Sequence, residues 1–313
     1  MHPTINQITW HGFPALALEN ELIRTVIVPN LGAKIVSLFD KTCQHEWLAA
    51  PMRPVKQTSY AADFVSQDMS GWDEMMPTIV ACDWDGAHLP DHGEVWSIPW
   101  LLEKNTDSAI SLSVMGTAMP YRFARSVSFT ASDCLKLEYS LTNTGERAFP
   151  YLWTAHPQFV ADPQTRIVLP PEVKQMVNVV DNDPNWGKAG SLRAWPEAVA
   201  ANGVVQRLDR VGTVEKHACR KFYISPEQGI AWAALAQERL GCQLHLEWSL
   251  AEIPYLGVWV DEGSYNAAPV AALEPSSGYY DSLERAALNQ KVTILEPGET
   301  RHWTLILRFG KGE

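Results

Sequence analysis

The stretch "LKLEYSLTN", residues 135–143, sets Leu135, Leu137, Tyr139 and Leu141 against Lys136, Glu138, Ser140 and Thr142 in strict alternation. A period of two sends the two sets to opposite faces of an extended chain, so the segment reads as a half-buried strand, not a helix with one apolar stripe. The closing stretch repeats the pattern, with Trp303, Leu305, Leu307 and Phe309 alternating with Thr304, Ile306 and Arg308. "LIRTVIVP" and "AKIVSLFD" flank the turn signal "NLG", and further extended runs occur at "SAISLSVMG", "RSVSFTA", "AFPYLWTAH", "GIAWAALA", "CQLHLEWSL" and "YLGVWVD". A short helical stretch is plausible at "YYDSLERAALNQ", and the longest loop is expected at "DNDPNWGKAG", residues 181–190. Many short strands without alternating helices exclude a parallel α/β sheet. The expected class is all-β, with stacked antiparallel sheets.

With 313 residues, 46% hydrophobic and 19% charged, the chain has ample material for a core. Length alone allows one or two domains, and no Gly/Ser-rich linker, charge block or fixed-period repeat divides the sequence. A net charge of -11 argues against nucleic acid or an anionic membrane as partner, since those select basic surfaces. A neutral or small substrate fits better. Cys43, Cys82, Cys134, Cys219 and Cys242 are scattered without a Cys-x-x-Cys spacing and read as reduced thiols. "MHPTINQITWHGF" has neither the basic start nor the apolar run of a secretory signal, and no run of about 18 apolar residues could span a bilayer. A cytoplasmic location is expected.

Several of the thirteen tryptophans sit near polar punctuation, among them Trp72, Trp96, Trp100, Trp153 and Trp259. Indole faces stack on sugar CH surfaces, and they also serve as core aromatics of a β-sandwich. His92 lies between Asp91 and Gly93 in a loop-like setting, and His156 ends a strand just before Pro157, which holds the chain extended. Imidazoles exchange protons near neutral pH, although either residue could equally be a hydrogen-bonded structural one. His88, His92, Glu94 and His156 could supply metal ligands, but no His-Glu-x-x-His appears. Ser276 and Ser277 lack the Gly-x-Ser-x-Gly elbow, and no Gly-x-Gly-x-x-Gly or phosphate loop indicates a nucleotide cofactor.

Leu-Glu-Pro occurs twice, at Glu274 and at Glu296. Glu296 precedes a Pro-Gly turn signal and reads as a solvated turn residue. Glu274 follows "APVAAL", a strand-like approach that carries it inward, where a carboxylate is costly unless paired or hydrogen-bonded.

Taken in order, "VPNLGAKIVSLFD", "GWDEMMPT", "HGEVWSIPW", "WTAHPQF", "GVWVDEG", "ALEPSSGYYDSL" and "LEPGETRHWTLILRF" resemble the aldose 1-epimerase (galactose mutarotase) family along most of the chain. The resemblance implies a large twisted antiparallel β-sandwich of the galactose mutarotase-like supersandwich type, one domain over residues 1–313, no cofactor, and a reducing sugar as substrate. A monomer or homodimer is expected. It also implies interconversion of α and β anomers by ring opening, with Glu274 as base, His156 as general acid and His92 binding the sugar. Around these, Asp261 is expected as a second-layer or hydroxyl contact and Trp72, Trp96 and Trp259 as a stacking wall. "WTAHPQF" stands where typical galactose mutarotases have Asn-His-x-Tyr-Phe-Asn-Leu, and "GWDEMMPT" replaces the Asn-Arg ahead of their site. Relatives acting on hexose 6-phosphates need an arginine cluster, whereas Arg53, Arg122 and Arg125 are not contiguous, so the sequence leaves neutral, anionic and phosphorylated sugars open. A non-catalytic carbohydrate-binding β-sandwich is the alternative. A glycoside-processing enzyme would need carboxylates roughly 5 to 10 Å apart across the sugar, with Asp73, Glu74, Asp261 and Glu262 as candidates.

Overall fold

The computed structural model describes residues 3–105, 108–181 and 183–312, so Asn182 of the expected loop lies outside the described residues. Alternation at 135–143 becomes the strand Cys134–Asn143, and the closing alternation becomes Thr300–Lys311. The two pair antiparallel with Leu135 opposite Leu307, Leu137 opposite Leu305 and Tyr139 opposite Trp303. All six of these side chains are buried. Tyr139 stacks on Trp303 at 5.5 Å between ring centroids, and Phe123 from Tyr121–Ala131 stacks on Tyr139 at 6.0 Å. Cross-strand aromatic pairs of this kind add to the apolar burial that forms the sheet's inner face.

These strands belong to an eight-stranded antiparallel sheet that runs from Thr165–Val168 at one edge to Leu101–Asn105 at the other. A second, thirteen-stranded sheet packs against it. Its central run is Lys34–Asp40, Trp72–Met75, Thr154–Pro157, Val270–Ser276, Tyr255–Glu262 and Ala218–Ile224. The all-β, twisted antiparallel sandwich expected from the sequence is therefore observed. Leu283–Leu288, within the expected helical stretch, forms an α-helix of six residues, capped by the Ser282 hydroxyl accepting from Arg285 N–H. Among the described residues no helix is long and apolar enough to cross a membrane.

The two sheets are tied through one carboxylate. Glu74, fully buried on the Trp72–Met75 strand, accepts from Arg125 Nη1 at 2.7 Å and Tyr139 OH at 3.0 Å, both on the eight-stranded sheet, and from Trp153 Nε1 at 2.9 Å. Arg125 also donates to the Ala33 carbonyl. Removing one member of a buried pair strands the other charge away from water. Arg125→Met should therefore lower the unfolding free energy by about 3–5 kcal/mol. Urea denaturation followed by tryptophan fluorescence measures this, and a loss of less than about 1 kcal/mol, the range of an exposed pair, would contradict the role given to the pair.

Candidate active site

One face of the thirteen-stranded sheet is organised in two rows across its central strands. Residues directly opposite each other in antiparallel strands share a face. His156 pairs with Asp73, Glu274 with Gly257, and Gly257 with Tyr223. The register that sets Thr154 opposite Ser276 and Phe159 opposite Ala271 places His156 beside Glu274 and Gln158 beside Ala272. The first row is thus Asp73, His156, Glu274, Gly257 and Tyr223. Two residues along each strand, the second row is Gly71, Gln158, Ala272, Trp259 and Lys221, with Gln158 N–H donating to the Gly71 carbonyl.

A cleft of about 190 Å³ opens over these rows. His156, Gln158, Glu274, Trp259 and Lys221 line its floor, and Phe64, Met69, Ile79, His92, Tyr265 and Asp281 its walls. Gly257 makes room on the floor, since a Cβ there would meet Glu274 Oε2 at 3.0 Å and Tyr223 Cζ at 3.2 Å. The His-Gly motif also has a structural reason. His92 N–H donates to Ile79 O, Glu94 N–H to Met76 O, and Gly93, at φ +70°, lies so close to the Met76 backbone that any side chain would collide with it. His92 itself sits at φ 60°, stacked on Phe64 at 3.9 Å between centroids and 7° between planes, with Nδ1 2.8 Å from Asp91 Oδ2.

Glu274 and His156 lie side by side on the cleft floor. Nε2 of His156 lies 3.6 Å from Oε1 of Glu274, and both residues are buried. Neither His156 Nδ1 nor Glu274 Oε1 has a hydrogen-bond partner among the described residues. Burial pushes the Glu274 carboxyl upward from its ordinary value, against the pull of the Lys221 ammonium at 2.8 Å from Oε2. Burial moves His156 the opposite way, well below its ordinary value, helped by positive charge at His92, Lys221 and Lys34. A carboxyl normally titrates about two units below an imidazole, and the two shifts run in opposite directions from those ordinary values. Lys221 reaches Asp281 Oδ1 at 3.1 Å as well, and Tyr223 OH donates to the same oxygen at 3.0 Å. Desolvation opposes the charge on Lys221, but Asp281 and Glu274 outweigh it and hold the ammonium above its ordinary range.

The structure brings His92, His156, Glu274 and Trp259 together in this cleft. Trp72, Trp96 and Asp261 do not form part of its lining, which corrects the stacking wall and the hydroxyl contact expected of them. Trp72 is next to Asp73 on its strand and therefore faces the opposite side of the sheet, where it is fully buried edge-on to Phe159. Trp96 is buried edge-on against Phe64, its Nε1–H donating to Gly93 O at 3.1 Å, and so braces the wall from outside the cleft. Asp261 is spent on its own loop, accepting from the N–H groups of Ser264 at 2.8 Å and Asn266 at 2.7 Å.

The paired-carboxylate reading fails on geometry as well. Asp73 pairs with Lys34 at 2.8 Å, Glu74 with Arg125, and Glu262 with Arg220 at 2.9 Å, and none of the candidates lines the cleft. Nor are the possible metal ligands gathered: His88 pairs with Asp83 in solvent, while Glu94 accepts from Tyr121 OH at 2.7 Å and from the N–H groups of Thr117 and Ala118. No group of three or more His, Cys, Asp or Glu side chains placed to hold a metal occurs among the described residues. No arginine is among the described residues that line the cleft; Arg53 donates to the Val65 and Gln67 carbonyls, and Arg122 pairs with Glu103. Sequence reasoning missed Lys221, Asp281, Tyr223 and Gln158. Gln158 stood in view in "WTAHPQF", two residues from His156 on the same face, and that spacing was the available signal.

The chain is thus a twisted antiparallel sandwich whose sheet carries a buried carboxylate beside an imidazole on the floor of a cleft. The family model of aldose 1-epimerase matches residues 14–175, and the chain belongs to that family. Its fold is similar to that of a galactose mutarotase-like protein from Lactobacillus casei ATCC 334, at 18% identity and TM-score 0.69, covering 95% of this chain and 100% of that one. It is also similar to a galactose mutarotase-like protein from Clostridium acetobutylicum, at 15% identity and TM-score 0.67, covering 99% of both chains. A galactose mutarotase related enzyme from Lactobacillus acidophilus aligns at 14% identity and TM-score 0.67, over 95% of this chain and 97% of that one. A search of curated protein sequences returns no match.

The depressed proton affinity of His156 has a consequence for stability. Between its folded and unfolded values the unfolded chain binds the extra proton, so the stability of keeping this ring neutral is present above the ordinary histidine range and is lost as pH falls below it. The parent should therefore lose more thermal stability between pH 7.5 and 5 than His156→Gln does. His45 and His245, also depressed by burial, contribute equally to both proteins. Melting curves across that range check it, and parallel slopes would refute it.

Proposed function

We propose that the protein is a mutarotase, interconverting the α and β anomers of a reducing sugar. The observation that carries this reading is the Glu274–His156 pair, two proton carriers 3.6 Å apart with unpartnered polar atoms on the floor of the cleft. Glu274 takes the proton from O1 while His156, in its protonated form, gives one to O5. The C1–O5 bond breaks as the C1 carbonyl forms, C1 turns about the C1–C2 bond, and the ring recloses on the other face with the two roles reversed. Burial raises the proton affinity of Glu274 and lowers that of His156, so the carboxylate is a stronger base than usual and the imidazolium a stronger acid. His92, fixed by Phe64 and Asp91, is placed to contact the sugar, and Trp259 offers an apolar face.

The cleft favours an unphosphorylated sugar. Lys221 is its lysine, already paired with Glu274 and Asp281, so a phosphate would meet two carboxylates and no free cation among the described lining residues. Lys221 instead stabilises the ionised base.

Glu274→Gln keeps the shape but cannot accept the proton, and should reduce catalysed anomer exchange by about 10²- to 10⁴-fold or more with the fold retained. Glu296→Gln, at an exposed turn, should leave it unchanged. Polarimetry or exchange NMR on a panel of neutral and anionic reducing sugars measures both above the spontaneous rate, and a Glu274→Gln protein as fast as the parent would end the assignment. For Lys221→Met, loss of the ammonium raises the proton affinity of Glu274. The acidic limb of the pH–rate profile should move to higher pH and return toward the parent in Lys221→Arg. An unmoved limb in Lys221→Met would show that Lys221 does not tune the base.

A further inference from the structure

The cleft holds one polar group that the proton-transfer scheme leaves without a task. Gln158 is 1% exposed, lines the cleft floor in the second row, and its side-chain Nε2 has no hydrogen-bond partner among the described residues. An unpartnered buried amide is costly, and such groups ordinarily find partners. Its orientation is dictated from the far end of a relay. Asp261 is an ionisable carboxyl 0% exposed that accepts from backbone N–H groups on three successive residues. Its Oδ2 also accepts from Asn266 Nδ2 at 3.1 Å, which fixes which end of the Asn266 amide faces it. The second hydrogen of that same Nδ2 is donated to Gln158 Oε1 at 3.2 Å. A carboxylate accepts only, so Asn266 must present its NH₂, and Gln158 must then present its oxygen to Asn266. The Gln158 NH₂ is left as a donor with no partner in the protein.

Position on the sheet says what it can reach. Gln158 lies two residues from His156 on the same face, so the second row stands about 6.5–7 Å from the first. In a pyranose ring the C3–C4 bond lies opposite the C1–O5 bond. A sugar held with O1 and O5 over Glu274 and His156 therefore extends its C3–C4 edge toward the row that carries Gln158 and Trp259. We propose that Gln158 is a specificity-determining residue that donates a hydrogen bond to a substrate hydroxyl on the C3–C4 edge, and that Asp261 and Asn266 act as positioning residues that aim it. The orientation of the sugar rests on the mutarotase reading; the unpartnered amide does not.

The test is a cycle between a side-chain deletion and a hydroxyl deletion. Anomer exchange is measured by NMR for the parent and Gln158→Met with D-glucose, D-galactose and their 3-deoxy and 4-deoxy analogues. Thermal melts confirm that the near-isosteric methionine leaves the fold intact. In the parent, loss of one of the two hydroxyls should lower kcat/KM by about tenfold or more, because the amide is again left unpaired. In Gln158→Met the same deletion should have no effect, and the variant should handle the full sugar about as poorly as the parent handles the deoxy analogue. Equal penalties in both proteins at both positions would overturn the proposal. If the parent exchanges no anomers faster than the spontaneous rate, the mutarotase reading has failed, and Gln158 is judged by binding of the same sugars in saturation-transfer NMR. Loss of sensitivity to one hydroxyl in Gln158→Met would then support the donor role. Absence of both exchange and binding with every sugar would overturn it.

Discussion

The contact on which the rest of the molecule depends is the carboxylate of Glu74. It is fully buried and meets Arg125 and Tyr139 from the opposing sheet and Trp153 from the segment between two strands. A slip of one residue in the Trp72–Met75 strand would turn every side chain to the other face. Glu74 would then turn toward the cleft, Asp73 would turn into the core, and Trp72 would leave the apolar layer for the cleft side. The ion pair therefore acts as a register pin. Buried pairs are weak as net stabilisers and best understood as devices of specificity, and here the specified quantity is which face of the strand becomes the site.

On the cleft side the same economy of charge is visible. Glu274 and His156 are buried and Lys221 and Asp281 half-buried, and Lys221 is held between the two carboxylates. Burial raises the proton affinity of Glu274; Lys221 restores part of its acidity, and Asp281 and Glu274 keep Lys221 charged. On the mutarotase reading Glu274 must accept and return a proton within one turnover, and burial and Lys221 act on its proton affinity in opposite directions.

How much of this could be read in the sequence depended on burial. Cys134–Asn143 and Thr300–Lys311 each have one inner and one outer face, so their alternation was plain and their class correct. Val270–Ser276, the strand that carries Glu274, is buried at every residue and shows no alternation at all. Its inward glutamate was legible because Leu-Glu-Pro recurs beside a Pro-Gly turn, which made Glu296 a control, and Glu296 is indeed exposed. Where both faces of a strand are buried, composition cannot say which faces the cleft. Trp72 and Asp73 are neighbours, and the sequence offered no means of choosing the tryptophan's side. Lys221 stands 53 positions from Glu274 in the chain, and only the pairing of three strands brings them to 2.8 Å.

Asp261 shows why residue type is a poor guide to role in such a site. A carboxylate beside a tryptophan suggests a direct sugar contact, yet its oxygens are saturated by the 264–266 backbone and by Asn266. Saturation does not make it irrelevant. A charged acceptor at the end of a chain of amides removes the twofold ambiguity that an amide otherwise has, and passes a fixed polarity down to the cleft. A short polar residue in place of Asp261 that could donate as well as accept would let both amides turn over, and the cleft would then present an oxygen or a nitrogen indifferently. Selectivity for a hydroxyl's position requires that this choice be settled before the sugar arrives, because only a group already oriented converts its hydrogen bond into discrimination without the cost of ordering it on binding.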